Sequence, residues 1–313
     1  MEKKYAVGVD IGGTTVKNGL FDIEGNLLEK WEITTRKENG GENILKDVAE
    51  AIKDVLSKKK IALSELKGVG MGVPGPVESD GYVSKCVNLG WKDIRPAELL
   101  SSLLDGVSVA AGNDANVAAL GEAFKGAAAG EKNVVMLTLG TGVGGGIILD
   151  GRIVAGVHGA GGELGHIVVN PSETLKCNCG NYGCLEQYAS ATGVVRVAKR
   201  LLEASDEKSS LRAADEISAK LVFDEAKAGD ALSLKAVDTL CMYLGLVCAQ
   251  CSLTIDPDAF VIGGGVSRAG SILTEGIGKY FEKYAHIIPK KPDFKLATLG
   301  NDAGIYGAAK LVL

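Results

Sequence analysis

The sequence predicts a duplicated α/β fold, two lobes of similar plan with a cleft between them. Three observations carry this prediction. A unit of strand, glycine turn, strand and acidic turn occurs twice. It is first Asp10-Ile11-Gly12-Gly13-Thr14 leading through Phe21-Asp22 to Gly25, then Leu139-Gly140-Thr141-Gly142-Val143-Gly144-Gly145 leading to Asp150-Gly151. The 313 residues are enough for two apolar cores. No low-complexity linker separates the halves, so short crossings that suit a hinge must join them.

The elements follow in order. Residues 5–10 form a buried strand, broken by Gly12-Gly13 and resumed over 16–21; a turn at 22–26 precedes a third strand over 27–34. Ile44, Leu45, Val48, Ile52, Val55 and Leu56 recur at helical spacing, and Lys58-Lys59-Lys60 closes that helix as solvated surface. A glycine-rich strand over 68–73 runs into Pro74-Gly75-Pro76. A short strand over 107–111 delivers Asn113-Asp114 to a helix reaching about Lys125. The second half gives a strand over 134–139, a turn over 140–146, a strand over 147–149 and a turn at Asp150-Gly151. Residues 205–210 read as a polar loop and 231–255 as a long helix. The strand over 259–262 ends in Gly263-Gly264-Gly265.

Composition narrows the function. Hydrophobic residues make up 46% and charged residues 23%, a soluble balance, and a net charge of −5 without a basic face argues against a nucleic-acid partner. The charged start Met1-Glu2-Lys3-Lys4 leaves no signal region. Glycines and charges interrupt the apolar runs, so no membrane span is expected. Seven cysteines in such a chain suit a reducing compartment, hence the cytoplasm.

Three turns could hold a nucleotide: Gly12-Gly13-Thr14-Thr15, Gly140-Thr141-Gly142 and Gly263-Gly264-Gly265. Glycine lets the backbone point its N–H groups at phosphate oxygens, and threonine adds a hydroxyl donor. Gly140 to Gly145 matches the dinucleotide fingerprint in letters, but a strand and hairpin turn follow it where that fingerprint needs a helix. No Gly-x-x-x-x-Gly-Lys-Ser/Thr occurs. Any one turn could be an ordinary tight turn. Three of them, with Asp10 placed to organise Mg²⁺ through water, favour nucleotide binding.

His166 is followed by Cys177, Cys179 and Cys184, with Gly180 and Gly183 letting the chain fold back. Three thiolates and an imidazole complete a tetrahedral Zn²⁺ site with no open position, so the metal is expected to be structural. Fixing it would also fix Glu163 and Glu186, two acceptors suited to sugar hydroxyls, on one wall of the cleft. Cys241, Cys248 and Cys251 recur at helical spacing and read as core; Cys86 has no evident partner. Asn113-Asp114 reads by position as a helix cap. The functional alternative makes Asp114 the base that takes a proton from an attacking hydroxyl.

Asp10 to Lys17, Gly72-Val-Pro-Gly-Pro76, Asn113-Asp114, Leu139 to Gly145, Glu163-Leu-Gly-His166 and Cys177-Asn-Cys-Gly-x-x-Gly-Cys184-Leu-Glu186 together resemble the ROK family (repressors, open reading frames and sugar kinases), in its motif order and over nearly the whole chain. The resemblance implies an actin/hexokinase/Hsp70-like (ribonuclease H-like) ATPase fold. Its small lobe would span 1–112 with a returning helix at 303–313, and its large lobe 113–302 with the zinc loop. It implies ATP-dependent phosphorylation of a hexose, glucose first, with N-acetylglucosamine, N-acetylmannosamine and then fructose as alternatives. It also implies a homodimer or higher homo-oligomer. Asp114 would be the base. Gly75, Asn88, Asn113, Glu163, His166 and Glu186 would contact the sugar, and Asp10, Gly12, Gly13, Thr14, Lys17, Thr141, Gly142, Gly264 and Gly265 would serve ATP and Mg²⁺. His166 would bind zinc through one nitrogen and face a sugar hydroxyl with the other. The family's repressors carry a DNA-reading segment for which the early first strand leaves no room.

Overall fold

In the computed structural model, which describes residues 2–313, the N-terminal segments bounded by turns form β1 (Tyr5–Ile11), β2 (Thr15–Asp22) and β3 (Leu27–Thr34). Met1, the start of the charged N-terminal run, lies outside the described residues. A turn, α1 (Glu38–Gly41), leads to α2 (Ile44–Lys59), whose apolar stripe is buried as the helical spacing requires. Then come β4 (Leu66–Val73), the hairpin β5 (Val83–Cys86) and β6 (Trp91–Ile94), α3 (Pro96–Leu103), β7 (Val109–Asn113) and α4 (Asp114–Lys125). The second half contributes β8 (Val134–Leu139), β9 (Val143–Leu149), β10 (Arg152–Ile153), α5 (Glu186–Ala189), α6 (Ala191–Glu203), α7 (Ala219–Lys227) and α8 (Ala231–Ile255). It ends with β11 (Ala259–Gly263), α9 (Ser271–Tyr284), β12 (Asp293–Leu296) and α10 (Ala303–Lys310).

The repeated unit is visible in the sheets. The first has the order β3-β2-β1-β4-β7 and the second β10-β9-β8-β11-β12, so each places its strands third, second, first, fourth, fifth. In the first, β1–β2 and β2–β3 are antiparallel while β1–β4 and β4–β7 are parallel. In the second, β9–β10 is antiparallel while β8–β11 and β11–β12 are parallel. Strand β9 begins at Val143, four residues earlier than the sequence suggested, because Gly144, Gly145 and Gly146 are strand rather than turn.

The chain forms two compact units. The first comprises the residues up to Lys132, Gly146–Gly162 and Thr298–Leu313, and the second Asn133–Gly145 and Glu163–Ala297. In the first, Val7, Val9, Val16, Leu20, Val48, Ile52, Val69 and Met71 form the core between sheet and α2. On the opposite face α10 lies so close that a Cβ on Gly70 would stand 1.7 Å from the Ala308 carbonyl oxygen. A Cβ on Gly307 would stand 1.7 Å from that of Val117. Helix α4, expected to open the second lobe, therefore packs with α10 inside the first unit. Glu122 on α4 is wholly buried and accepts from the backbone N–H groups of Ala127, Thr298 and Leu299, which fixes the chain entering α10.

In the second unit α8 contacts α6, α7 and α9. It corrects one expectation, being long and apolar enough to cross a membrane by length and composition. More than half of its apolar window (56%) is buried inside the protein, which accounts for its composition as a core helix. Gly245 lets α9 approach: a Cβ there would meet Ile277 O at 2.9 Å. Cys241, Cys248 and Cys251 are buried on this helix, and burial pushes their thiols up.

Candidate active site

In the first unit, Asp10 is next to last in β1, Gly72 next to last in β4, and Asn113 ends β7; all three strands are parallel here. The carboxyl ends of parallel strands are where α/β sheets gather ligands. A Cβ built on Gly72 would lie 3.7 Å from Asp10 Oδ1 and 3.6 Å from the Asp114 Cα, so the two acids flank the same glycine. Burial raises the Asp10 carboxyl above its ordinary range, and the Lys17 charge opposes that shift. Lys17 stands opposite Asp10 across the hairpin and its Nζ donates to the Asn301 carbonyl at 3.2 Å.

The Gly12–Thr15 turn is pinned from behind. Gly12 N donates to Thr15 O at 3.0 Å, Thr35 Oγ1 to Gly12 O at 2.7 Å and Thr35 N to Thr14 O at 2.9 Å. Gly13 and Thr14 sit at the tip of this braced turn. Asn113 caps α4 by accepting from Asn116 N at 3.1 Å, while its Nδ2 donates to Gly75 O at 3.1 Å. Asp114 Oδ1 accepts from Ala115 N at 2.8 Å. The pair is therefore placed at the helix N-terminus, as its position in the sequence suggests. Asn88 lies in the exposed turn between β5 and β6, its carbonyl 4.0 Å from where a Gly13 Cβ would be.

In the second unit, the Gly140-Thr141-Gly142 turn packs on the start of α6. Ala191 N donates to Gly140 O at 2.8 Å and Thr192 Oγ1 to Thr141 O at 2.8 Å. Glu186 opens α5 and accepts from Val143 N at 3.1 Å; a Cβ on Gly142 would collide with its carboxylate at 2.1 Å. Thus Gly142, expected at the nucleotide, and Glu186, expected at the sugar, are in contact. Gly264 has φ 82° and closes against Leu139, while nothing crowds Gly265. A cavity of about 510 Å³ opens between these turns, lined by Thr141, Phe223, Lys227, Gly265, Val266 and Arg268 among others. Phe223, Lys227 and Arg268 escaped the sequence reading. They carry no motif, and Phe223 and Lys227 look like the ordinary faces of an amphipathic helix.

His166 and Cys177, Cys179 and Cys184 offer one ligand atom each, all within 4.8 Å of one another. The Cys179 and Cys184 sulfurs are 3.6 Å apart, and His166 Nδ1 is 3.9 Å from the Cys177 sulfur. Tetrahedral zinc with bonds of about 2.0–2.3 Å separates its ligands by roughly 3.3–3.8 Å, so this donor set fits zinc with a small contraction. Glu163 Oε2 lies 3.9 Å from His166 Nε2, so Nδ1 turns to the thiols and Nε2 to the carboxylate. Cys177 Sγ is 3.7 Å from Glu186 Oε1. Glu163, His166, Glu186 and the thiols thus form one assembly.

Glu173 steadies the strand of loop before Cys177. It accepts from Arg200 at 2.8 and 3.0 Å, from the Tyr188 hydroxyl at 2.6 Å and from the backbone N–H groups of Thr174 and Leu175. The Arg200 guanidinium foremost, with the Tyr188 hydroxyl, holds this carboxyl well below the usual range. A depressed folded-state value means stabilisation that is full above the unfolded value and fades as pH falls below it. Melting temperature is therefore expected to drop on acidification below about pH 4.5, and less steeply in Glu173→Gln. That variant loses roughly 2 kcal/mol at pH 7, discounted for the exposure of Arg200. Parallel melting curves for the two proteins would remove Glu173 from the account.

A five-strand plan used twice, each copy opened by a glycine turn, is that of the actin/hexokinase-like class of phosphoryl-transfer proteins. The ROK family profile matches residues 6–313, and the chain belongs to the ROK family. It is 44% identical to the glucokinase of Halalkalibacterium halodurans, over 100% of this chain and 96% of that one. The ROK hexokinase from Thermus thermophilus superposes with a TM-score of 0.80 at 33% identity, over 97% of this chain and 96% of that one. A ROK family glucokinase from Streptomyces griseus in complex with glucose and AMPPNP gives a TM-score of 0.71 at 33% identity, over 98% of each.

Proposed function

We infer that the protein is an ATP-dependent glucokinase that forms glucose 6-phosphate. The full-length likeness to a glucokinase carries this reading. Asp114 orients the 6-hydroxyl and takes its proton as the bond to the γ-phosphorus of ATP forms and the bond to ADP, the leaving group, breaks; a carboxylate is too weak a base to remove the proton beforehand. In the first unit Asn113, Gly75 and Asn88 are suited to contact sugar hydroxyls; in the second, Glu163, His166 and Glu186 are. Gly12, Gly13, Thr14, Lys17, Thr141, Gly142, Gly264 and Gly265 serve ATP, with backbone N–H groups and the lysine countering phosphate charge. The cavity lined by Phe223 and Val266 gives the nucleoside an apolar face, with Lys227 and Arg268 at its rim.

Mg²⁺, held through water by Asp10, would neutralise charge on the transferring phosphoryl group. Zinc on His166, Cys177, Cys179 and Cys184 would fix Glu163 and Glu186 without joining the chemistry. We place the enzyme in the cytoplasm as a homodimer or higher homo-oligomer; its seven free thiols suit a reducing compartment. A coupled ADP-release assay over glucose, N-acetylglucosamine, N-acetylmannosamine, mannose and fructose tests the reading. Highest kcat/KM with glucose is expected, and faster turnover of an N-acetyl sugar would reassign the substrate.

A further inference from the structure

The Pro74-Gly75 turn is held from two sides. Asn113 Nδ2 donates to the Gly75 carbonyl at 3.1 Å, and the Cys86 thiol donates to the Pro74 carbonyl at 2.7 Å. Cys86 is 1% exposed and is the last residue of β5, directly before the turn that carries Asn88. Its own carbonyl accepts from Leu89 N at 3.2 Å, so that turn starts from Cys86. A Cβ on Gly75 would lie 3.7 Å from the Lys85 carbonyl oxygen, which shows how closely β5 runs beside the Pro74-Gly75 turn. Cys86 thus touches the turn bearing Gly75 and leads the turn bearing Asn88, while Asn113 joins the first to the start of α4.

We propose that Cys86 is a positioning residue for the hexose, its S–H fixing the Pro74-Gly75 turn in register with the Asn88 turn. This rests on the glucokinase reading of Gly75, Asn88 and Asn113. Burial pushes the thiol up, and the Asp114 charge adds to that, so Cys86 remains a protonated donor at neutral pH. A carbonyl that loses its donor inside the protein reorients, and here the reorienting peptide precedes Gly75.

Three variants separate positioning from space filling. Cys86→Val keeps the bulk and removes the donor, Cys86→Ala removes both, and Cys86→Ser keeps a donor that still lies within hydrogen-bond distance of the Pro74 carbonyl. The expected result is a rise of about three- to tenfold in KM for glucose in Val and Ala. KM for ATP should stay within about twofold and Ser should fall close to wild type. An unchanged glucose KM in Cys86→Val would overturn the proposal. So would equal rises for glucose and ATP, or a Ser variant as impaired as Val. Wild-type turnover of glucose, measured alongside, separates this from the reading it rests on. If the wild type leaves glucose untouched, the glucokinase reading fails; if only the variants behave alike, the positioning role fails.

Discussion

Asp114→Asn is expected to lower kcat by about a thousandfold, within the usual contribution of a positioned general base. Binding of glucose should survive. The asparagine amide retains an oxygen that can accept from Ala115 N, as Asp114 Oδ1 does at 2.8 Å, and Asn113 still caps α4 through Asn116 N. The fold should therefore lose only the charge at the helix N-terminus, about 0.5 kcal/mol. ADP release gives kcat, and calorimetric titration with glucose gives binding. A kcat within tenfold of wild type would remove Asp114 from the base role. Loss of binding together with turnover would make it a structural cap instead.

The second large effect concerns the metal. Purified protein should carry about one zinc per chain, and Cys184→Ser should lose most of it. Cys184 is wholly buried and its sulfur sits 3.6 Å from that of Cys179, so serine places a poor ligand where thiolate is required. Because Glu163 faces His166 Nε2 and Glu186 approaches Cys177, losing the metal disturbs both carboxylates together. A fall of at least about tenfold in kcat/KM for glucose is expected, by analogy with metal sites whose supporting contacts are broken. Zinc-free protein with full activity, measured by elemental analysis and the same assay, would refute the structural metal.

The sequence made some features legible and hid others for physical reasons. Short runs bounded by glycine and acidic turns exposed β1, β2 and β3, and a period-3.6 pattern exposed α2, since both are local signals. The donor spacing from Cys177 to Cys184 announced the thiol cluster because ligands close in sequence leave a spacing signature. The start of β9 was hidden because Gly144, Gly145 and Gly146 resemble a turn. A Cβ on Gly146 would meet Ala119 Cβ at 2.5 Å, which makes the residue a packing requirement. Long-range contacts were invisible for a different reason. Nothing local ties Cys86 to Pro74, Glu122 to Leu299 or Glu173 to Arg200.

The position of α10 has a consequence for the growing chain. A Cβ on Gly304 would lie 2.5 Å from Asp10 Cγ, so this late helix forms part of the wall around that carboxyl group. Its residues 303–310 leave the ribosome after all of the second unit, whose last residue is Ala297. At about 5–20 residues per second, the N-terminal hairpin waits many seconds for the helix that covers it. The second unit can fold in that interval, while Phe21, which packs with Ile305 and Ala309, stays without its partners. A nascent chain therefore completes the surroundings of Asp10 only when synthesis of α10 is done. Aggregation during expression should accordingly originate from the face of β1 and β4 that α10 covers.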